Sequence, residues 1–205
     1  MIYDAAEAIV ANAREVMDYE GLQMEVMQVF AMEVPFTEEE FRATRENVLA
    51  EKLAEEALET FKRRMDTLQK VAYPVIKKVY EKRGAMYENI LIPISDGKRA
   101  YNVAVNLKAA YESECREVVR EFEKRMLLFV IDDEWKEHLR QLDELKQSVQ
   151  NASYEQKDPL LIYKLESFNI FRDMLDRFNR RAIAILLRGQ IPTRDPQEVR
   201  QAQVQ

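Results

Sequence analysis

His138 and Cys115 are the only histidine and the only cysteine in this chain, and so the first residues to test for chemistry. A nucleophile needs a base within hydrogen-bond reach, and a protein metal site needs several ligands at close spacing. Asp132, Asp133 and Glu134 lie near His138 in sequence, but acids and bases alternating along a long helix are an ordinary solvated surface. The glycines at 21, 84, 97 and 189 are isolated, so no glycine-rich loop can cradle phosphates. His138 therefore reads as a structural residue at the edge of a helical seam. Cys115 reads as a small buried hydrophobe, and Trp135 as core. No catalytic, cofactor-binding or metal-binding residue is assigned.

Composition narrows the classes further. The formal net charge of −6 argues against a nucleic-acid partner, because phosphate binding draws on many Lys and Arg. One cysteine excludes an intrachain disulfide. The longest apolar runs, Met126–Ile131 and Ala182–Leu187, fall far short of the roughly 20 residues of a membrane span. Met1–Val10 carries Asp4 and Glu7 and no basic stretch, unlike a signal peptide. With 4 Gly and 6 Pro, turn formers are scarce and long uninterrupted helices are expected.

The hydrophobic spacing predicts helices over Ile2–Met17 and Leu22–Met32, interrupted at Glu20-Gly21. Thr37 and Glu40 form a capping box, with Phe36 and Phe41 placed as a hydrophobic staple. One long helix follows from Asn47 to Arg83, with a seam of Ala54, Leu58, Phe61, Met65, Leu68, Ala72, Val75 and Val79. Pro74 should kink or break it. Ile90–Ile94 and Tyr101–Val105 flank Asp96-Gly97, which signals a β-hairpin, with Pro93 confining its strand to an edge.

Two further helices are expected from Leu107 to Gln150 and from Pro159 to Arg188, the second opened by Asp158-Pro159. Their short polar link favours antiparallel neighbours. Seam positions on the first are Leu128, Ile131, Trp135, His138, Leu142, Leu145 and Val149. On the second they are Leu161, Leu165, Phe168, Phe171, Leu175, Phe178, Ala182 and Ile185. The fold class is mainly α: a long antiparallel helical hairpin plus a helical wing with one small β-hairpin. At the connection, Asn151, Ser153, Tyr154, Gln156 and Lys157 are the candidate contact residues. Tyr154 offers an amphipathic aromatic at the tip of two long arms, and its spacing fits two readings: packing back on the helix ends to cap the seam, or contact with a partner.

Several ordered motifs then carry a resemblance. Phe122-Glu123-Lys124, Ile131-Asp132-Asp133, Trp135-Lys136-Glu137-His138-Leu139 and Leu142–Gln147 resemble the first finger helix of the SecA family. Tyr154-Glu155-Gln156-Lys157-Asp158-Pro159 resembles its fingertip, and Tyr163–Phe168 with Phe171 and Met174-Leu175 its second finger helix. Asp18-Tyr19-Glu20-Gly21-Leu22 is similar to the approach to its helical wing, and the β-hairpin resembles an insertion of Bacteroidetes members. The family's Leu-Arg-Gly before the fingertip tyrosine is Asn151-Ala152-Ser153 here.

The resemblance implies a division into 1–20, the end of a scaffold segment; 21–113, the wing; 114–190, the two-helix finger; and 191–205, a flexible tail. It implies a non-catalytic mechanical part of a cytoplasmic, membrane-peripheral motor that drives unfolded preproteins through the SecYEG channel. ATP and Mg would belong to motor domains outside this chain, so no cofactor is expected here. The implied partners are the remaining SecA domains, the channel and the preprotein. The alternative is a free-standing helical-hairpin interaction or chaperone-like module.

Overall fold

The computed structural model describes residues 1–84, 86–152 and 158–192. It is mainly α-helical: α1 (Ile2–Val16), α2 (Tyr19–Val29), α3 (Glu38–Ala43), α4 (Glu46–Arg83), β1 (Asn89–Ser95), β2 (Ala100–Asn106), α5 (Leu107–Glu112), α6 (Arg116–Ala152) and α7 (Pro159–Arg188). These form two compact units. Among the described residues, one comprises 1–59 with 125–185 and the other 60–124 with 186–192, so the boundaries fall inside α4, α6 and α7.

In the first unit, α1 buries Ala5, Ala6, Ile9, Val10 and Ala13 along one stripe. Gly21 does not interrupt the next helix, as the sequence suggested, but lies in its first turn. The Asp18 carboxylate accepts a hydrogen bond from the Gly21 amide at 2.9 Å and starts α2 three residues earlier than expected. A Cβ at position 21 would lie 2.2 Å from Asp18 Oδ2, so glycine makes room for the cap. The capping box forms as read: Thr37 N donates to Glu40 at 2.9 Å and Glu40 N to Thr37 Oγ1 at 3.2 Å. Phe36 and Phe41 are both buried beside it.

Helix α4 runs unbroken through Pro74. Proline removes the bond to the carbonyl four residues back, at Lys70, but Lys70, Pro74 and Val75 all face solvent, where water satisfies that carbonyl. Val75 is thus not part of the seam. The buried line instead passes through Met65, Leu68, Ala72 and Ile76.

In the second unit, β1 and β2 pair antiparallel from Asn89↔Asn106 to Ser95↔Ala100. Ile92, Ile94, Val103 and Val105 are buried on one face, and Leu91, Pro93, Asn102 and Ala104 are exposed on the other. The turn is held by Asp96. Its Oδ1 accepts from the amides of Lys98 at 2.8 Å and Arg99 at 2.7 Å, and its Oδ2 from the Tyr101 hydroxyl at 2.9 Å. Burial pushes this carboxyl up, but the bonds from Arg99, Lys98 and Tyr101 outweigh it and hold it below the usual carboxylate range. Gly97 has φ 86°, with open space where a Cβ would stand. Gly97→Ala is therefore expected to cost only backbone strain, about 1 kcal/mol, measured as a lower urea midpoint. No loss would place position 97 outside the left-handed region.

The helix expected from Leu107 is divided. Glu114 (φ 51°) and Cys115 (φ 68°) turn the chain between α5 and α6. Cys115 N bonds back to Ala110 O at 2.8 Å, closing α5, and Ser113 Oγ accepts from Glu117 N at 3.1 Å, opening α6. Burial pushes the Cys115 thiol up to about 11, so it is inert at neutral pH. Outside the hairpin, Ser95 and Gln190 form an isolated antiparallel bridge that the sequence reading did not anticipate. Gly189 next to it is buried against the Phe122 ring.

Candidate functional site

The part of the first unit built from α6 and α7 holds the residues singled out in the sequence. Asp158 starts α7 as expected, its Oδ1 accepting from Leu160 N at 2.9 Å. Asn151 lies in the last turn of α6. Ser153, Tyr154, Gln156 and Lys157 lie outside the described residues.

The buried line on α6 keeps only His138 and Val149 of the expected heptad. It is Met126, Val130, Glu134, His138 and Val149, and on α7 the most enclosed positions include Met174 and, as the seam predicts, Ala182 and Ile185. Trp135 is 45% exposed and Phe168 63%; Phe171 and Leu175 are also exposed. Leu142 and Leu145 are half-buried. The seam expected at Trp135, Phe168, Phe171 and Leu175 is therefore an apolar surface of this chain, not its interior. The reason is that charged residues occupy the contact line instead.

Glu134 is the centre of that line. It is only 4% exposed, and burying a carboxylate is costly unless it is paired and hydrogen-bonded. Two arginines one turn apart on α7 meet the need. Arg177 Nε donates to Glu134 Oε2 at 3.0 Å, and Arg181 Nη1 to Glu134 Oε1 at 2.5 Å. Arg181 Nη2 reaches on to Asp133 Oδ2 at 3.1 Å. Burial draws the Arg181 guanidinium down, but its bonds to Glu134 and Asp133 win and leave it above its usual value. Arg180, on the same helix, pairs with Glu25 of α2. Sequence reasoning missed this cluster because hydropathy scores Glu134, Arg177 and Arg181 as surface. The available signal was spacing: Glu134 falls four residues from both Val130 and His138.

His138 lies beside the cluster. Its ring is 5.2 Å from Trp135 and 5.7 Å from Phe171, the latter edge-on. Its Nδ1 is buried without a hydrogen-bond partner among the described residues. The imidazole packs between the Trp135 and Phe171 rings. Because the indole is half in water, Trp135→Ala is expected to lower stability by about 1 kcal/mol or less. Urea unfolding checks this, and a loss above about 3 kcal/mol would mean a fully buried aromatic.

Among the described residues, no group of three or more His, Cys, Asp or Glu is placed to hold a metal ion. No described helix is long and apolar enough to cross a membrane. The second unit has an open groove of about 450 Å³ lined by Arg64 and Leu68 of α4 and by Leu187–Ile191. The Arg64 guanidinium donates to the Leu187 carbonyl there.

Two long helices locked by a buried charge cluster, and one small β-hairpin among the described residues, make this a mainly α-helical protein with a hairpin insertion. The chain belongs to the SecA wing and scaffold domain family, whose profile matches residues 1–190. It is 59% identical over 203 residues to a Parabacteroides distasonis protein named protein translocase subunit SecA. Proteins of the same name from Bacteroides thetaiotaomicron and Porphyromonas gingivalis are 60% identical over 208 residues and 50% identical over 191. These alignments cover 98%, 100% and 93% of this chain. They cover only 18%, 18% and 17% of the three relatives.

Proposed function

We propose that this chain is the wing and two-helix finger of a SecA-type protein translocase, acting by contact and leverage and not by chemistry of its own. Family membership across residues 1–190 carries the reading, since the relatives are named as translocase subunits. In this reading 21–113 is the wing and 114–190 the finger. ATP and Mg are handled by motor domains outside this chain. The partners are those domains, the SecYEG channel and an unfolded preprotein, at the cytoplasmic side of the membrane. The Glu134 cluster suits the role, because a finger that pushes needs two helices that do not slide past each other.

Tyr154, with Asn151, Ser153, Gln156 and Lys157 around it, is the proposed point of contact. A phenol can touch many side chains without demanding a sequence. In the full-length protein, Tyr154→Ala is expected to reduce preprotein transport several-fold while basal ATPase and melting temperature stay unchanged. Transport into membrane vesicles beside a thermal melt decides it. Normal transport removes Tyr154 from the mechanism, and a sharp drop in melting temperature makes it a cap on the helix ends.

A further inference from the structure

The wing hairpin has two outer edges, and the chain treats them differently. On β1, Ser95 turns its backbone away from β2 and exchanges hydrogen bonds with Gln190 at 2.7 and 2.9 Å. An antiparallel ladder repeats such reciprocal pairs at every second residue. The next pair in this register would be Pro93 with Pro192. Neither has an N–H, so a third strand on the β1 edge stops after one pair.

The β2 edge carries no such stop. Ala100, Asn102 and Ala104 stand opposite Ser95, Pro93 and Leu91. Since Ser95 points outward, these are the non-hydrogen-bonded pairs, and the backbone groups of Ala100, Asn102 and Ala104 point away from β1. All three residues are exposed, and the sheet has two strands among the described residues. Natural edge strands are blunted by proline, charge or cover. The β2 sequence, Ala100–Asn106, contains neither a proline nor a charged residue.

We propose that the outer edge of β2, at Ala100, Asn102 and Ala104, accepts an extended stretch of polypeptide as a third strand. The chemistry fixes the occupant: donors and acceptors alternating at strand spacing are matched by another extended backbone. The chain uses the same recognition on the opposite edge, between Ser95 and Gln190. The side chains of the open face, Ala100, Asn102, Ala104 and Leu91, are uncharged, so they impose little sequence preference. That the polypeptide is a translocating one rests on the function proposed above; the pairing itself does not.

The test mixes the chain with a short unstructured peptide of alternating Thr and Val and follows amide hydrogen exchange residue by residue. Exchange at Ala100, Asn102 and Ala104 is expected to slow about tenfold or more on peptide addition. Asn102→Pro removes one outward N–H and no bond to β1, and is expected to abolish the protection with the fold intact. Should proline disturb the hairpin, Ala104→Lys, which leaves the backbone unchanged and adds an edge charge, is expected to do the same. Protection that appears elsewhere, or persists in both variants, overturns the proposal. So does sedimentation showing that a second copy pairs through Ala100–Ala104. Peptide pairing combined with unaffected transport by full-length variants upholds the strand site and breaks only its link to translocation.

Discussion

Replacing Arg177 and Arg181 together by Met is expected to destabilise the chain by about 3–5 kcal/mol. Each arginine is roughly two-fifths exposed, so either can reach water, whereas Glu134 cannot. Removing both partners strands a carboxylate in the interior, and that is the costly direction. Glu134→Gln alone should cost far less, since an amide still accepts a hydrogen bond and the freed guanidinium groups turn outward. The sign of the coupling is the sharper test. Adding Glu134→Gln to the double arginine variant should restore stability, because the stranded charge disappears. A triple variant less stable than the double one would show that Glu134 stabilises by packing and not through its pairs. Urea denaturation of the four proteins gives all of these values.

The second large effect is expected at Gly189, where Gly189→Val should cost about 1–3 kcal/mol. A Cβ there would sit 2.5 Å from Phe122 Cζ and 2.6 Å from Cε1. Phe122 is fully buried, so its ring has little room to retreat. Phe122→Leu shortens the opposing side chain, and in that background the valine should cost less. Equal costs in both backgrounds would place the penalty in the backbone and not in the contact with Phe122. Its place just after Arg188, the last residue of α7, suits glycine as a helix stop. The structure gives it a second reason, the close approach of the chain to an aromatic ring as it leaves α7.

What could be read in advance was what neighbours in sequence decide. Thr37 with Glu40, Asp96 with Gly97, and Asp158 with Pro159 each fix a turn or a helix start within a few residues, and each forms as read. Positions decided by distant partners were legible only in part: Val149, Ala182 and Ile185 are buried as their spacing predicts, whereas Trp135 and Phe168 are not. Hydropathy drew the α6 seam through Trp135 and the α7 seam through Phe168, because both are large and apolar at regular spacing. The chain instead buries Glu134 beside Arg177 and Arg181, a substitution of paired charge for apolar contact that no single-residue scale represents. The break at Glu114 and Cys115 was equally hidden, since neither residue is a usual helix breaker. Ser153, Tyr154, Gln156 and Lys157, singled out for contact, lie outside the described residues, and their assignment rests on an amphipathic aromatic between two long helical patterns and on the resemblance of the motif.

The order of the two units along the chain has a consequence for how the protein is made. Among the described residues, the first unit draws on 1–59 and 125–185, and the second on 60–124 and 186–192. A chain emerging from the ribosome therefore begins one unit, begins the other inside it, and completes neither until α7 has been synthesised. Bridging the intervening residues carries an entropic cost that rises only slowly with loop length, so the delay in time weighs more than the loss of freedom. At a synthesis rate of about 5–20 residues per second, α1 to α3 wait several seconds for the helices they share a unit with. During that interval the apolar stripe of α1, from Ala5 to Ala13, has no α7 to complete its unit, and it is there that a nascent-chain chaperone would find the most to cover.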